Sequence, residues 1–184
     1  MKILTIFMTF FISQAFGAEL KIEPVYGVER TQKEFPKPAR YKTETFAGIR
    51  ALYGVPAFSF EVEVNQSISK EDFPDDDLEV TYNSQKALIG FRSYPIKSKV
   101  VGIYLRFGAR GSQNKRDITE AGESRTETDP ISFDPYAGTG LTLAAGKNFA
   151  LNAGATLIYN KNADSSEQYD TRYTFSFTIK AGSK

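Results

Sequence analysis

Phe58-Ser59-Phe60-Glu61-Val62-Glu63-Val64-Asn65 is the stretch that decides the fold. Phe58, Phe60, Val62 and Val64 occupy every second position, and Ser59, Glu61, Glu63 and Asn65 fill the others. Successive side chains of a strand point to opposite faces, so this period of two makes one apolar row and one polar row on a single extended segment. Phe and Val are also strand formers. The stretch predicts a strand that meets an environment of opposite polarity on each side.

Seven other segments repeat the pattern. Before it, residues 19–29 set Leu20, Ile22, Pro24, Tyr26 and Val28 against Lys21, Glu23, Val25, Gly27 and Glu29. Residues 46–53 set Ala47, Ile49, Ala51 and Tyr53 against Phe46, Gly48, Arg50 and Leu52. After it, residues 87–92 oppose Ala87, Ile89 and Phe91 to Leu88, Gly90 and Arg92. Residues 101–110 oppose Val101, Ile103, Leu105, Phe107 and Ala109 to Gly102, Tyr104, Arg106, Gly108 and Arg110. Residues 132–143 place Phe133, Pro135, Ala137, Leu141 and Leu143 opposite Ser132, Asp134, Tyr136, Gly138 and Gly140. Residues 149–160 place Phe149, Leu151, Ala153, Ala155, Leu157 and Tyr159 opposite Asn152, Gly154, Thr156 and Asn160. Residues 169–179 close the series, with Tyr169, Tyr173, Phe175, Phe177 and Ile179 against Asp170, Arg172, Thr174, Ser176 and Thr178.

Tight turns follow the second, fourth and sixth segments, at Gly54-Val55-Pro56, Pro95 to Lys99 and Ala145 to Asn148. Gly54-Val55 reads as a two-residue hairpin with glycine at its first central position, which requires a positive φ. The remaining connections, 31–45, 67–85, 111–130 and 160–168, are long and polar. This strict alternation is the asymmetry of an up-and-down outer-membrane barrel, with short turns toward the periplasm and long loops outside. Leu78, Val80 and Tyr82 alternate in the opposite phase to Ala87, Ile89 and Phe91. A hairpin extending beyond the membrane, with a bulge near Ser84, would account for the slip.

The composition agrees with this reading and excludes several others. Of 184 residues, 41% are hydrophobic, and the mean hydropathy of −0.35 is low because a barrel strand shows lipid only every second residue. Lys plus Arg is 23 and Asp plus Glu is 22, so there is no basic excess for nucleic acid. The absence of Cys removes disulfides, thiolate metal sites and thiol catalysis; the absence of His removes the commonest general base and zinc ligand. No cofactor is expected. Lys2, the apolar run Ile3 to Ile12 and Ser13-Gln14-Ala15-Phe16-Gly17 read as a signal peptide over residues 1–17, leaving a barrel domain over residues 18–184. The apolar run is too short for a membrane helix, which needs roughly 20 residues.

Eight alternating segments from Glu19 to Ile179, joined by alternating short turns and long loops, resemble the small eight-stranded outer-membrane barrels of the OmpA transmembrane-domain and OmpX type. The resemblance implies an all-β fold, an eight-stranded antiparallel up-and-down transmembrane β-barrel in the outer membrane of a Gram-negative bacterium. It also implies outer-membrane lipid and lipopolysaccharide as surroundings, and insertion by the barrel assembly machinery. Part of the signal for that machinery is a terminal aromatic; Tyr173, Phe175 and Phe177 have the right alternation, and Lys180-Ala181-Gly182-Ser183-Lys184 follows them.

Alternation alone does not say which face is inside, since a soluble exported barrel would bury its apolar rows. The polar rows interleave Gly48, Gly90, Gly102, Gly108, Gly138, Gly140 and Gly154 with Arg50, Glu61, Glu63, Arg92, Arg106, Asp134 and Arg172. An eight-stranded barrel has an interior just wide enough for side chains to fill, so large residues there need small neighbours, whereas a solvated face does not. On the apolar rows, Tyr53, Phe58 and Phe149 lie near the short turns and Tyr26, Phe133, Tyr159 and Tyr169 near the long loops, as two lipid interfaces favour. The polar rows therefore face a lumen. An unpaired buried charge costs several kcal/mol, so Arg50, Arg92, Arg106 and Arg172 are expected to pair with Glu23, Glu61, Glu63 and Asp134 as a polar network, with Arg50 opposite or diagonal to Glu61.

The other motifs are weaker. Glu71, Asp72, Asp75, Asp76, Asp77 and Glu79 form an oxygen-rich run that lacks the ligand spacing of a helix-loop-helix calcium site and reads as a solvated loop, with cation binding as its alternative. Lys33, Lys37, Arg40 and Lys42 make the first long loop basic, a candidate for lipopolysaccharide phosphates. Barrel enzymes that modify lipid A use His with Ser and an acid, and this chain has no His; Ser67-Ile68-Ser69-Lys70 has Ser-x-x-Lys spacing at a loop start and reads as chance. The expected role is that of a monomeric, non-enzymatic barrel serving membrane integrity or adhesion through a surface partner on its long loops. The alternatives are a narrow pore, a histidine-free lipid-modifying enzyme and a soluble exported carrier.

Overall fold

A peptide group left unpaired in hydrocarbon costs several kcal/mol, so a sheet that crosses a bilayer has to close on itself. This chain closes. The computed structural model describes residues 17–33, 35, 36, 38–160 and 168–181; the expected signal peptide up to Phe16, Lys37, most of the last long connection and the end of the tail lie outside the described residues. The strands are β1 (Glu19–Lys33), β2 (Arg40–Val55), β3 (Phe58–Phe73), β4 (Leu78–Lys97), β5 (Val101–Glu120), β6 (Glu123–Thr128), β7 (Ser132–Ala144), β8 (Phe149–Tyr159) and β9 (Tyr169–Ala181). Each pairs antiparallel with its chain neighbour, except that β6 and β7 both pair with β5 and together make one wall. The β1–β9 pairing seals an eight-walled antiparallel ring.

Exposure decides the sidedness. Arg50, Arg92, Arg172, Glu23, Glu61 and Glu63 are 0% exposed, whereas Phe133 and Phe175 are 67% exposed. The polar rows face the lumen and the apolar rows form the outer surface, the arrangement of a barrel dissolved in lipid. The outer face carries aromatic pairs such as Phe58–Phe91 at 5.3 Å and Phe149–Phe177 at 5.4 Å near the short turns, and Tyr159–Tyr169 at 5.7 Å near the opposite end.

Two local expectations are corrected. The β2–β3 turn is centred on Pro56 and Ala57, because Val55 pairs with Phe58 and Gly54 with Ser59. Pro56 sets the φ of a turn's first central residue and has no N–H that the ladder would lose. Gly54 keeps a positive φ of 155° one pair below the turn, where a Cβ would collide with the Phe58 carbonyl oxygen. The second correction concerns the bulge placed near Ser84. β3 and β4 pair without interruption from Phe58↔Ser93 to Phe73↔Leu78, and the register shift in β4 lies between Ser93 and Ile96.

With no slip, even-numbered residues of β4 point inward along its length up to Arg92, and what changes is their chemistry. Inside the membrane-facing part they are Lys86, Leu88, Gly90 and Arg92; beyond it they are Leu78, Val80 and Tyr82, which pack with Ile118 of β5 and with Phe35 and Phe73 into an apolar core. The outward row changes the other way, from Phe91, Ile89 and Ala87 to Gln85, Asn83, Thr81 and Glu79. The barrel is inside-out where lipid surrounds it and reverts to the polarity of a soluble protein where its walls stand in water. For the same reason residues 67–85 and 111–130 are mainly paired strand, although their polarity reads as loop: polar outward side chains suit water, and the backbone still requires partners.

Ile118 is 1% exposed in this outer core. Ile118→Ala is expected to destabilise the extension by about 2–4 kcal/mol through lost burial and a residual cavity. Proteolysis at Lys115 and Arg116 would then accelerate while the heat-modifiable gel mobility of the membrane part stays unchanged; equal protease resistance in wild type and variant would contradict an apolar core in the extension.

Candidate functional site

The lumen is occupied by two layers of charge. In the layer nearer the short turns, β2 supplies Arg50, β3 Glu61 and Glu63, β1 Glu23, β4 Arg92, β5 Arg106 and β9 Arg172, all on inward positions. Arg50 lies directly across the ladder from Glu63 and diagonal to Glu61. It donates through Nη2 to Glu63 at 2.6 Å and through Nη1 to Glu23 at 2.9 Å. Arg92 donates through Nε to Glu61 at 2.9 Å and through Nη1 to Glu23 at 3.1 Å. Arg106 pairs with Glu61, and Arg172 with Glu63. Glu23 also accepts from Thr178 at 2.7 Å, Ser176 at 3.2 Å and Asn152 at 3.3 Å.

Asp134 sits elsewhere. Its partner is Arg110, at 2.8 Å, in a second layer nearer the hairpin end. The expected pairing with one of Arg50, Arg92, Arg106 or Arg172 does not form, because β5 places Arg110, not Arg106, directly across from Asp134. Arg110 also reaches Glu29 at 2.8 Å and Asp170 at 2.9 Å, and Lys86 reaches Glu29 at 2.8 Å. Arg172 joins the layers, 4.0 Å from Glu29. Sequence reading left Glu29, Lys86, Arg110 and Asp170 out of the network. Their signal was parity: each continues the inward row of its strand, and Lys86 was passed over because the fourth segment was started one residue later. Across both layers six cations meet six carboxylates, so the plug is neutral.

Aromatic rings complete the filling. Arg92 lies 4.4 Å from the Tyr104 ring centroid, Arg106 5.0 Å from Tyr136 and Arg172 3.8 Å from Phe46, so these guanidinium groups meet a ring on a face and carboxylates on their edges. Tyr104 fits only because Gly140 and Gly154 lie beside it; a Cβ on either would collide with its ring or hydroxyl.

Above the plug lies a cavity of about 290 Å³ whose lining includes Lys86, Arg110, Arg116, Asp134, Tyr82 and Phe35. Phe35 covers it. Its carbonyl accepts from the Tyr82 hydroxyl and, at 3.3 Å, from Arg40, and Arg116 lies 5.6 Å from its ring centroid. Burial pushes the Tyr82 phenol up from its ordinary value, and Glu71 adds to the shift. The basic residues read as facing lipopolysaccharide are engaged here too: Lys33 pairs with Glu44 at 2.9 Å, and Arg40 and Lys42 both pair with Glu71. In the acidic run, Lys70 bonds Glu79 at 2.6 Å. Among the described residues no group of His, Cys, Asp or Glu is arranged to hold a metal ion.

No protein-family model matches the sequence, and no curated protein matches it. Solved structures do match. Ail, the attachment invasion locus protein of Yersinia pestis, in complex with the heparin analogue sucrose octasulfate, aligns over 89% of this chain and 97% of its own at 12% identity, with a TM-score of 0.57. The fold is that of the small outer-membrane β-barrels. CarO of Acinetobacter baumannii covers 85% of this chain and 96% of its own at 10% identity and a TM-score of 0.56; Neisserial surface protein A covers 90% and 97% at 16% and 0.55. At these identities the likeness carries the architecture of an outer-membrane barrel and leaves the plug and the hairpins to be read from this chain's own residues.

Arg50 is fully buried and bonds both Glu23 and Glu63. Arg50→Met is expected to destabilise the barrel by about 3–5 kcal/mol, the usual result of orphaning a buried charge. The double change Arg50→Met with Glu63→Gln is expected to recover part of that loss. Urea unfolding in lipid vesicles reads both; a single variant as stable as wild type would remove the plug from the list of structural determinants.

Proposed function

We propose that the chain is an outer-membrane barrel of a Gram-negative bacterium that acts by contact at the cell surface, with no transport and no turnover. The observation that carries this reading is the apolar core of Leu78, Val80, Tyr82 and Ile118 above the membrane band, which turns the β3–β4 and β5–β6 hairpins into a rigid platform. Loops that merely join strands have no need of a core. In this reading the short turns face the periplasm, residues 1–17 serve export and are removed, the barrel assembly machinery inserts the chain, and it works as a monomer surrounded by lipid and lipopolysaccharide.

The plug supports closure: Arg50, Arg92, Arg106 and Arg172 are the largest fully buried side chains, and they fill the space that a conduit would need. Glu61 and Glu63, the one carboxylate pair that suggests acid–base work, are both committed to arginines. The platform's charge supports a class of partner. The two hairpin tips touch, Ala121 N–H donating to the Asp77 carbonyl at 3.2 Å, and they bring exposed Asp75, Asp77, Glu120 and Glu123 together. Ail's solved complex holds a polysulfated sugar; the acidic tips of this chain suit a cationic surface.

Two measurements test this. Purified protein in planar bilayers is expected to give no stable openings, and regular conductance steps altered by Glu61→Gln would overturn the closed reading in favour of a narrow pore. Nanodisc-embedded protein is expected to bind polylysine at low salt, with several-fold weaker binding in the Asp75→Asn/Asp77→Asn/Glu123→Gln variant and loss as the Debye length shrinks to about 8 Å near physiological ionic strength. Polylysine binding unaffected by those three changes would remove the tips from the contact surface.

A further inference from the structure

The short-turn mouth of the barrel has a charge problem that the plug does not solve. A cavity of about 250 Å³ opens there, lined by Lys21, Lys97, Lys99 and Lys180 together with Tyr94 and Thr178. Lys147 is exposed on the neighbouring turn. Glu19 is the one carboxylate among the described residues on this side of the plug. It lies 3.6 Å from Lys21 and 3.7 Å from Lys180, beyond hydrogen-bond length for either, and its Oε2 is buried without a hydrogen bond.

Lys21 is the informative residue. It is 5% exposed and points inward from β1, and its ammonium carries three N–H donors with Glu19, at 3.6 Å, as its ionic partner. The next carboxylate up the lumen, Glu23, is saturated by Arg50, Arg92, Thr178, Ser176 and Asn152 and has nothing left to offer. Lys97 lies near the same Tyr94 ring, 5.3 Å from its centroid against 5.8 Å for Lys21, and it donates to the Pro56 carbonyl at 3.2 Å. Burial and then the like charge of Lys21 push the Lys97 amine below its ordinary value, as expected where cations converge without counter-charge. Lys99 has no anionic partner among the described residues.

We infer that this mouth is an anion site that takes a phosphate group, held by Lys21, Lys97, Lys99 and Lys180. A phosphate presents several acceptor oxygens in a small volume, which suits ammonium groups converging from three strand ends and a turn. The group has two possible sources, dissolved inorganic phosphate or the headgroup of a neighbouring phospholipid. Val101 and Phe149, which belong to the outer apolar rows, line the same cavity, so it opens toward the lipid surface as well as toward solvent. The inference is independent of what the hairpins at the other end meet.

The test uses the full barrel in maltoside micelles, which carry no phosphate. Inorganic phosphate is titrated at constant ionic strength against chloride while backbone amide resonances are followed. Saturable shifts are expected at Gly102, Thr142 and Thr178, with Ser112 and Ser132 at the far mouth unmoved. The Lys97→Gln/Lys99→Gln variant, changed only at exposed positions, is expected to bind about tenfold more weakly, a loss of roughly 1.4 kcal/mol. Micelles doped with phosphatidylglycerol form the second arm: if the same amides shift without added phosphate, the headgroup is the ligand, and if they respond to dissolved phosphate alone, the soluble anion is. Absence of saturable shifts in both arms, an equal response to chloride, or an unchanged affinity in the double variant would each overturn the proposal.

Discussion

The structure depends on the pairing of six cations with six carboxylates inside a closed ring. Taking any one of these ions out of water is costly, and a carboxylate–guanidinium pair compensates only if its geometry is good and its remaining hydrogen-bonding positions are filled. Glu23 and Glu63 meet that condition with five and four polar partners drawn from several walls. The bonds therefore tie walls that are not neighbours in the sheet. β1 is held to β4 through Glu23–Arg92, and β3 to β9 through Glu63–Arg172. Backbone ladders close the ring, and the plug fixes its cross-section.

Neutrality of the plug also explains the division of labour along the barrel axis. With the interior balanced, each end presents its own excess charge: lysines around a nearly carboxylate-free mouth at the short turns, and carboxylates at the joined tips of the hairpins. The chain's net charge of +1 conceals this separation. The neutral plug thus separates two ends whose excess charges differ in sign.

Between those ends the same strands obey two opposite rules. Along β4 the inward row runs from Arg92 and Gly90 to Tyr82, Val80 and Leu78 with no change of register, while the outward row runs from Phe91 to Glu79. The solvent outside determines which polarity belongs inside. Lipid requires apolar side chains outward and leaves the interior to charges that pair; water allows polar side chains outward and makes an apolar interior the stabilising choice. Ile118 and Arg110 lie on the same inward row of β5 and serve these two rules in turn.

Strand alternation, the eight walls and their sidedness were legible in the sequence because period-two patterning and the mixture of glycine with arginine are local properties of each segment. So was the inward position of Glu23, Arg50, Glu61, Glu63, Arg92, Arg106, Asp134 and Arg172. Which cation meets which carboxylate was not legible, since Asp134 finds Arg110 through a register that only closure of the ring imposes, and Glu29 is reached from β4, β5 and β9. The extended hairpins were hidden for a related reason. A polar outward row reads as loop until its partner strand is known, and an apparent phase slip at Leu78 to Tyr82 proved to be a change of surroundings. One segment carries its own periodicity, but the medium on each side of it is decided by the assembled barrel.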